Sequence, residues 1–298
     1  MNTLCRFCKN KALSLLFAPN KNGDGGKRIA DYACTNCAFG IHGPIVRCSN
    51  CQIIYVDEEL TQEQVSTYYE VANDPLYFAE QGARRLTFQK YLKKLRSFFP
   101  KKGKLLDIGT NTGLFVRISL DNGWEATGLE PNKWGTEYAK KNYGITLVNK
   151  PFEKGTFKKK SFDVATMWDV IEHFTDPISE MENVFEIIRP GGVFAFSTID
   201  PDSFLAKAMD TRWSWYMEMH KVFFNKASAT YYLKKSGFKK VVFTSHWRNL
   251  SLGYLATRLE AINPTLSKFA SKLISMLQLS KVIIPYYAND LYNCYAFK

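Results

Sequence analysis

Leu105-Leu106-Asp107-Ile108-Gly109-Thr110-Asn111-Thr112-Gly113 is the stretch that decides the fold. Four residues of strand character, one of them acidic, run into a loop with glycine at both ends. Leu114 to Asn122 then continues with helical spacing. Gly109 and Gly113 let the backbone approach a ligand where a side chain would collide. A second apolar run, Glu125 to Glu130, ends in an acid 23 residues beyond Asp107. A carboxylate in that position accepts hydrogen bonds from both hydroxyls of a ribose. Strand, glycine turn, helix, strand and acid together make an adenosine-binding half-site. A dinucleotide site shares the acid but sets its glycines for a pyrophosphate at a helix N-terminus. Asp107, ahead of the glycines, repels phosphate and suits a cationic sulfonium ligand carrying an ammonium group. The bland alternative is a glycine turn with no ligand.

Outward from this loop the rhythm is that of an α/β sheet. Phe162 to Trp168 and Val193 to Ser197 read as further strands, with a helix from Pro177 to Ile188 between them. Lys239 to Phe243 and Leu291 to Phe297 close the sheet as an antiparallel pair, and Cys294 reads as a strand-core cysteine. Four parts separate along the chain: a cysteine-bearing unit at 1–60, a helical linker at 61–100, the α/β domain at 101–247 and 290–298, and a mostly helical insertion at 248–289. In the insertion, Leu266, Phe269, Ala270, Leu273, Ile274 and Leu277 share one helical face, with Lys268 and Lys272 beside it. Such a stripe is expected to pack against the domain or a second subunit. The alternative is a basic amphipathic helix on a membrane surface.

The motifs in their order resemble those of class I S-adenosylmethionine-dependent methyltransferases. Leu106-Asp107-Ile108-Gly109-x-x-x-Gly113 is similar to motif I, with Asn111 standing where the family usually has glycine. Asparagine tolerates a left-handed backbone, so the loop shape is expected to survive, with the amide near the methionine portion of the cofactor. Phe162-Asp163-Val164 through Trp168-Asp169-Val170-Ile171-Glu172-His173, with Asp176-Pro177, resembles the family's later strand and loop. Arg189-Pro190-Gly191-Gly192 resembles its next turn, and His220 to Phe224, Leu233 and Gly237-Phe238 the segment after it. The resemblance covers about residues 100–298. It implies a Rossmann-like, mostly parallel sheet, with S-adenosylmethionine held by Asp107, Gly109, Asn111, Gly113, Glu130, Trp168 and Asp169. Phe152 is a candidate for stacking on adenine, or else a core aromatic.

Six of the seven cysteines form three Cys-x-x-Cys pairs within the first 51 residues. Without a credible signal peptide, that argues for metal rather than disulfides. The apolar run Ala12 to Ala18 after Lys9 and Lys11 is short for a signal, and Phe17-Ala18-Pro19 is a poor cleavage site. The chain therefore reads as cytoplasmic. Two knuckles complete a tetrahedral zinc site. Spacing favours Cys34, Cys37, Cys48 and Cys51, with ten residues between the pairs, over Cys5, Cys8, Cys48 and Cys51, with 39. The resemblance points the other way. A subgroup of these methyltransferases associated with sugar and polysaccharide modification carries an N-terminal zinc-binding domain similar to Cys5-x-x-Cys8 and Arg47-Cys48-x-x-Cys51. It implies a structural zinc on the outer set, in a small zinc-ribbon-like domain, and a carbohydrate acceptor methylated at a hydroxyl or carbon. A redox switch at Cys34 and Cys37 is the weaker reading.

An alcohol acceptor benefits from a base. Of the four histidines, His220 lies in the Trp213-Ser214-Trp215-Tyr216 region where the family places its acceptor pocket, and His173 is the second candidate. Either could equally be held in a structural hydrogen bond; His42 reads as a loop residue. Tyr68, Tyr69 and Tyr77 are candidates for capping the pocket. No stretch approaches the roughly 20 apolar residues of a transmembrane helix. Forty basic against 28 acidic residues give a charge of +12, scattered rather than gathered into a groove. Nucleic acid is thus a less expected partner than a small molecule, and a homodimer is compatible with the apolar stripe. The competing classes are an RNA methyltransferase that uses its zinc unit for binding, and a catalytically silent scaffold. Against the first, the chain lacks an Asn/Asp-Pro-Pro-aromatic motif.

Overall fold

The computed structural model describes residues 4–20, 41–58, 74–217, 219–261 and 263–298. The first strands, β1 (Leu13–Phe17), β2 (Ile45–Cys48) and β3 (Ile54–Val56), pair antiparallel in that order. The apolar run beginning at Ala12 thus supplies strand β1. Two helices follow, α1 (Pro75–Ala79) and α2 (Gln81–Phe98). Asp74 starts α1 by accepting the Tyr77 N–H, and Pro75 occupies the first turn, where a missing N–H costs nothing. On α2 the buried residues are Ala83, Thr87, Tyr91, Leu92 and Leu95, whereas Leu86, which shares their apolar character, is exposed. Tyr68 and Tyr69, with Cys34 and Cys37, lie outside the described residues.

The α/β core then alternates as β4 (Lys104–Ile108), α3 (Leu114–Asp121), β5 (Glu125–Leu129), α4 (Lys133–Tyr143), β6 (Phe162–Trp168), α5 (Pro177–Ile187) and β7 (Ile188–Ile199). After β7 come α6 (Phe204–Met209), β8 (Val222–Phe223), α7 (Lys226–Lys235) and β9 (Lys240–Ser245). The chain ends in β10 (Arg248–Ser251), α8 (Leu252–Arg258), α9 (Pro264–Met276), β11 (Ile283–Tyr286) and β12 (Leu291–Phe297). The main sheet has the order β5-β4-β6-β7-β12-β9. Its first four strands run parallel, and β12 lies antiparallel between β7 and β9. Phe194 and Phe196 of β7 and Cys294 of β12 are fully buried. Each such aromatic stabilises the fold by roughly 1.5–3 kcal/mol.

Two details depart from the sequence reading. Arg189-Pro190-Gly191-Gly192 has the composition of a turn before a strand but lies within β7, where Gly191 takes φ 80° and the pairing to β6 shifts register between Phe162 and Val164. The insertion is not simply helical, because β10 and β11 pair antiparallel at its base. Those strands read Arg-Asn-Leu-Ser and Ile-Ile-Pro-Tyr, and their asparagine, serine and proline obscure the period of a strand. His42 lies in a loop, as its sequence context suggests, and is buried against Phe17 and Tyr216.

Among the described residues most of the apolar stripe on α9 is left uncovered, with only Ala270 and Ile274 of the stripe half-buried. Only Ser267 of that helix is buried, while Leu266, Leu273, Met276 and Leu277 face out and Phe269 is 66% exposed. Phe269→Glu is therefore expected to change folding stability by no more than about 0.5 kcal/mol, because it buries no charge. Thermal melting checks this, and a large loss would show that the face is covered in solution.

The cysteine-bearing strands are joined to the α/β part. Strand β8 adds to β3 through Ile54↔Phe223 and Tyr55↔Val222, making a four-stranded sheet with a strand from far along the chain. Arg47 forms an ion pair with Asp202 at 3.1 Å, and Asn225 donates to the same carboxylate at 2.6 Å.

Candidate active site

The cofactor loop follows β4, which lies between β5 and β6, so the chain's progression across the sheet reverses beside it. Ligands bind at such switch points, outside the carboxyl ends of the strands. The register sets Asp107 opposite Thr166, whose hydroxyl donates to the Asp107 carboxylate at 2.6 Å. Burial pushes the Asp107 carboxyl up to about 7, against the hydrogen bonds from Thr110 and Thr166. Asn111 takes φ 52°, the left-handed backbone expected of a glycine substitute here. A side chain at Gly109 would come within 2.8 Å of Val170, so this glycine gives room to the β6 loop as well as to a ligand.

Glu130 also holds the loop itself, a role the sequence did not reveal. Its two carboxylate oxygens accept the Asn111 N–H at 2.6 Å and the Asn132 N–H at 2.9 Å, which fastens the glycine loop to the start of α4. Burial raises this carboxyl to about 7. Each oxygen accepts two hydrogen bonds, so one acceptor direction per oxygen remains for the hydroxyls of a ribose. The residues therefore fit an adenosyl ligand. Phe152 is in the hydrophobic core with Ile108 and Leu129.

At the end of β6, Asp169 also takes a left-handed backbone, φ 57°. Its N–H donates to the Ser197 hydroxyl at 2.8 Å, which donates back to the Asp169 carboxylate at 2.6 Å. Burial pushes this carboxyl up, but His246, Arg248 and Ser197 together hold it below the ordinary range. Trp168 packs between Tyr91 and Phe115. Glu172 accepts from Thr198 at 3.0 Å, and burial next to Asp169 raises it to about 8.

The rings of His173 and His220 lie 5.0 Å apart. His173 Nδ1 donates to the Met219 carbonyl at 3.1 Å. His220 Nδ1 donates to the Trp215 carbonyl at 2.8 Å, which leaves the lone pair on Nε2. The Trp215 ring stacks on His220 and its indole N–H donates to Asp290 at 2.7 Å. Burial lowers His220 to about 3, with a further contribution from His173, and lowers His173 to about 4, so both enter neutral at pH 7.

A cavity of about 110 Å³ connects these groups; Gly109, Asn111, Trp168, Asp169, Glu172, His173 and His220 all line it. The same wall holds residues that sequence reasoning missed: Arg84, Arg248, Tyr254 and Arg258. Tyr77, a candidate cap, lines it too, with the Arg84 guanidinium 3.6 Å above its ring.

Two groups of ligating side chains converge among the described residues. One is Glu172, His173 and His220; the other is Cys5, Cys8, Cys48 and Cys51, with all ligand atoms of each group within 4.8 Å of one another. In the second, Cys5 and Cys51 sulfurs are 3.9 Å apart and Cys8 and Cys48 sulfurs 3.6 Å. These are not disulfides, whose sulfurs bond at about 2.05 Å. They match the edge of about 3.8 Å that follows from a tetrahedron with zinc–sulfur bonds of about 2.3 Å. The fold thus assembles the outer cysteine set.

Fold and loop define a class I, Rossmann-like S-adenosylmethionine-dependent methyltransferase domain. A family model described as a methyltransferase domain matches residues 78–242, more than half of the chain, and the chain belongs to that family. It is similar to the ubiquinone biosynthesis O-methyltransferase of Vibrio cholerae, 27% identical over 115 residues, 37% of this chain and 46% of that protein. The enzyme of the same name from Saccharophagus degradans is 30% identical over 103 residues, 33% of this chain and 44% of that protein. The chain thus spans about half the length of these curated relatives. An S-adenosylmethionine-dependent methyltransferase structure from Archaeoglobus fulgidus superposes with TM-score 0.51 at 16% identity, over 76% of this chain and all of that one. The 1,6-didemethyltoxoflavin-N1-methyltransferase of Burkholderia thailandensis, solved with S-adenosylhomocysteine, gives 0.50 at 14% identity, over 83% and 94%. At these identities the likeness is one of fold. Among the described residues no helix is long and apolar enough to cross a membrane.

Proposed function

We propose that this chain catalyses methyl transfer from S-adenosylmethionine to a hydroxyl of a small molecule, with His220 as general base. One observation carries the reading: His220, fixed by the Trp215 carbonyl with its lone pair on Nε2, lines the same cavity as Gly109 and Asn111 of the cofactor loop. When bound, S-adenosylmethionine supplies an activated methyl group on a sulfonium. Glu130 would hold the ribose, and Asp107, Asn111 and Asp169 the loop and the amino-acid end. His220 Nε2 takes the acceptor's hydroxyl proton while Nδ1–H stays on the Trp215 carbonyl, which stabilises the imidazolium as it forms. The four thiols would hold a structural zinc. The acceptor is read as a carbohydrate, on the resemblance of the cysteine unit to that of polysaccharide-associated relatives. The names of the curated relatives support oxygen as the acceptor atom and favour a second reading, an aromatic hydroxyl.

Calorimetry with S-adenosylhomocysteine tests the cofactor site. Asp107 and Glu130 are both raised to about 7 and act as carboxylates when the ligand is bound. Binding then releases protons, so affinity rises with pH, by about tenfold per unit for each group below pH 7, and levels off above about 8. Glu130→Gln should weaken binding by about 1.5–3 kcal/mol, the value of a charge-assisted hydrogen bond. Tight NAD binding, or an affinity flat from pH 5 to 8, would overturn the assignment.

A further inference from the structure

Helix α9 turns its apolar residues toward solvent. Leu266, Phe269, Leu273, Met276 and Leu277 recur at helical spacing on one face, and all are exposed, Met276 by 70%. A different side of the helix docks on the chain. There Ser267 is buried, and its hydroxyl donates to the Ala256 carbonyl of α8 at 2.8 Å. The exposure does not stop with the helix, because Leu279, Val282 and Ile283 continue it into β11. Single apolar residues are ordinary on a surface, but a segment that turns this many outward marks a face that something covers.

The charge of the segment says what covers it. Lys268 and Lys272 stand about one turn apart beside the stripe, and Lys281 precedes β11; all three are exposed. No Asp or Glu occurs between Ala261 and Asn289, and none of the three lysines pairs with an acid among the described residues. A second copy of the chain is the poorer fit. In a two-fold interface the same patch meets itself, so these lysines would face their own kind with no acid of the segment to pair. An anionic bilayer satisfies both features at once. Its acyl chains take the apolar face and its headgroups attract the lysines beside it. At 13 residues α9 is too short to span a bilayer and would lie in the interface plane.

The surface also adjoins the site. A cleft of about 450 Å³ is lined by Ser280, Lys281 and Ile283 from this segment and by Ala79, Ala83 and Tyr254 from α1, α2 and α8. Tyr254 lines the cavity of His220 as well.

We infer that α9 and the start of β11 rest on an anionic lipid surface, with Phe269 and Met276 at the acyl boundary and Lys268, Lys272 and Lys281 at the headgroups. This docking stands apart from the methyl-transfer reading and does not depend on it.

Sedimentation of the full chain with vesicles tests it, comparing phosphatidylcholine alone with phosphatidylcholine mixed with phosphatidylserine. Wild type is expected to pellet with the mixed vesicles, less as salt rises and less with phosphatidylcholine alone. Lys268→Gln combined with Lys272→Gln should weaken binding by about 25-fold, about fivefold for each lysine near the surface. Phe269→Glu should weaken it by at least about tenfold. Thermal melting checks that the variants fold, and the lysine pair keeps the test open if Phe269→Glu does not. Lys154→Gln combined with Lys158→Gln removes the same charge from exposed positions before β6 and should bind as wild type does. An equal loss in that control would make the attraction one of net charge and overturn the assignment, as would wild type that pellets with neither vesicle. Wild type that ignores vesicles but dimerises in analytical ultracentrifugation, with Phe269→Glu monomeric, would give the face to a second copy instead.

Discussion

His220→Ala is expected to lower kcat by about 10²–10⁴-fold, the usual contribution of a positioned general base. S-adenosylhomocysteine affinity should be retained, because Glu130 and the glycine loop are untouched. The substitution removes the Nε2 lone pair but leaves the Trp215 carbonyl, the cavity wall and strand β8 in place. A pH profile separates this role from a merely structural one. Burial holds His220 at about 3, so protonation of the base cannot set an acid limb near neutrality in the wild type. A limb near 7 belongs instead to Asp107 and Glu130 and should persist in the residual activity of His220→Ala. The low value keeps the Nε2 lone pair available across the working pH range and makes it a weak base. Near wild-type kcat in His220→Ala together with an inactive His173→Ala would move the base to His173.

What the sequence disclosed is what short-range chemistry controls. The β4 loop, the acid that follows β5 and the left-handed Asn111 lie within 24 residues and are fixed by local backbone constraints, so they could be read directly. The strand Phe162–Trp168 and the helix that opens at Pro177 were legible for the same reason. Partnerships set by tertiary packing were not. Nothing near Arg84 announces that Arg248 will stand beside it, because the ribbon of β10 and β11 that carries Arg248 has no clear strand period. The second role of Glu130 depends on two backbone N–H groups, which no side-chain motif encodes. Cysteine pairing is the mixed case. Spacing favours the inner knuckles, but β1 and β2 pair Leu13 with Cys48, which carries the first knuckle across to the third. Loop closure grows only slowly with length, so 39 intervening residues cost little more than ten.

Cys48→Ser is expected to release a bound zinc and to lower kcat, although no thiol lines the cavity. Four thiolates leave no open position on the metal, so a zinc there cannot activate water or polarise an acceptor. Its contribution is to folding, on the order of 10 kcal/mol in small zinc-nucleated units. Cys5, Cys48 and Cys51 are buried in the same core as Tyr55, Val222 and Phe224, so releasing the metal loosens that core. The effect then reaches the site through pairing rather than chemistry. Strand β3 holds β8 through Tyr55↔Val222, and the Val56 N–H donates to the Lys221 carbonyl at 3.0 Å. Lys221 directly follows His220, so a loosened β3 displaces the base. Metal analysis should find one zinc in wild type and in Cys34→Ser, and none in Cys48→Ser or Cys5→Ser. Retention in Cys5→Ser with loss in Cys34→Ser would return the site to the inner knuckles. A zinc-free Cys48→Ser that stayed folded and fully active would break the link from β3 to His220. With the metal closed to ligands, that strand pairing is the route by which its loss lowers kcat.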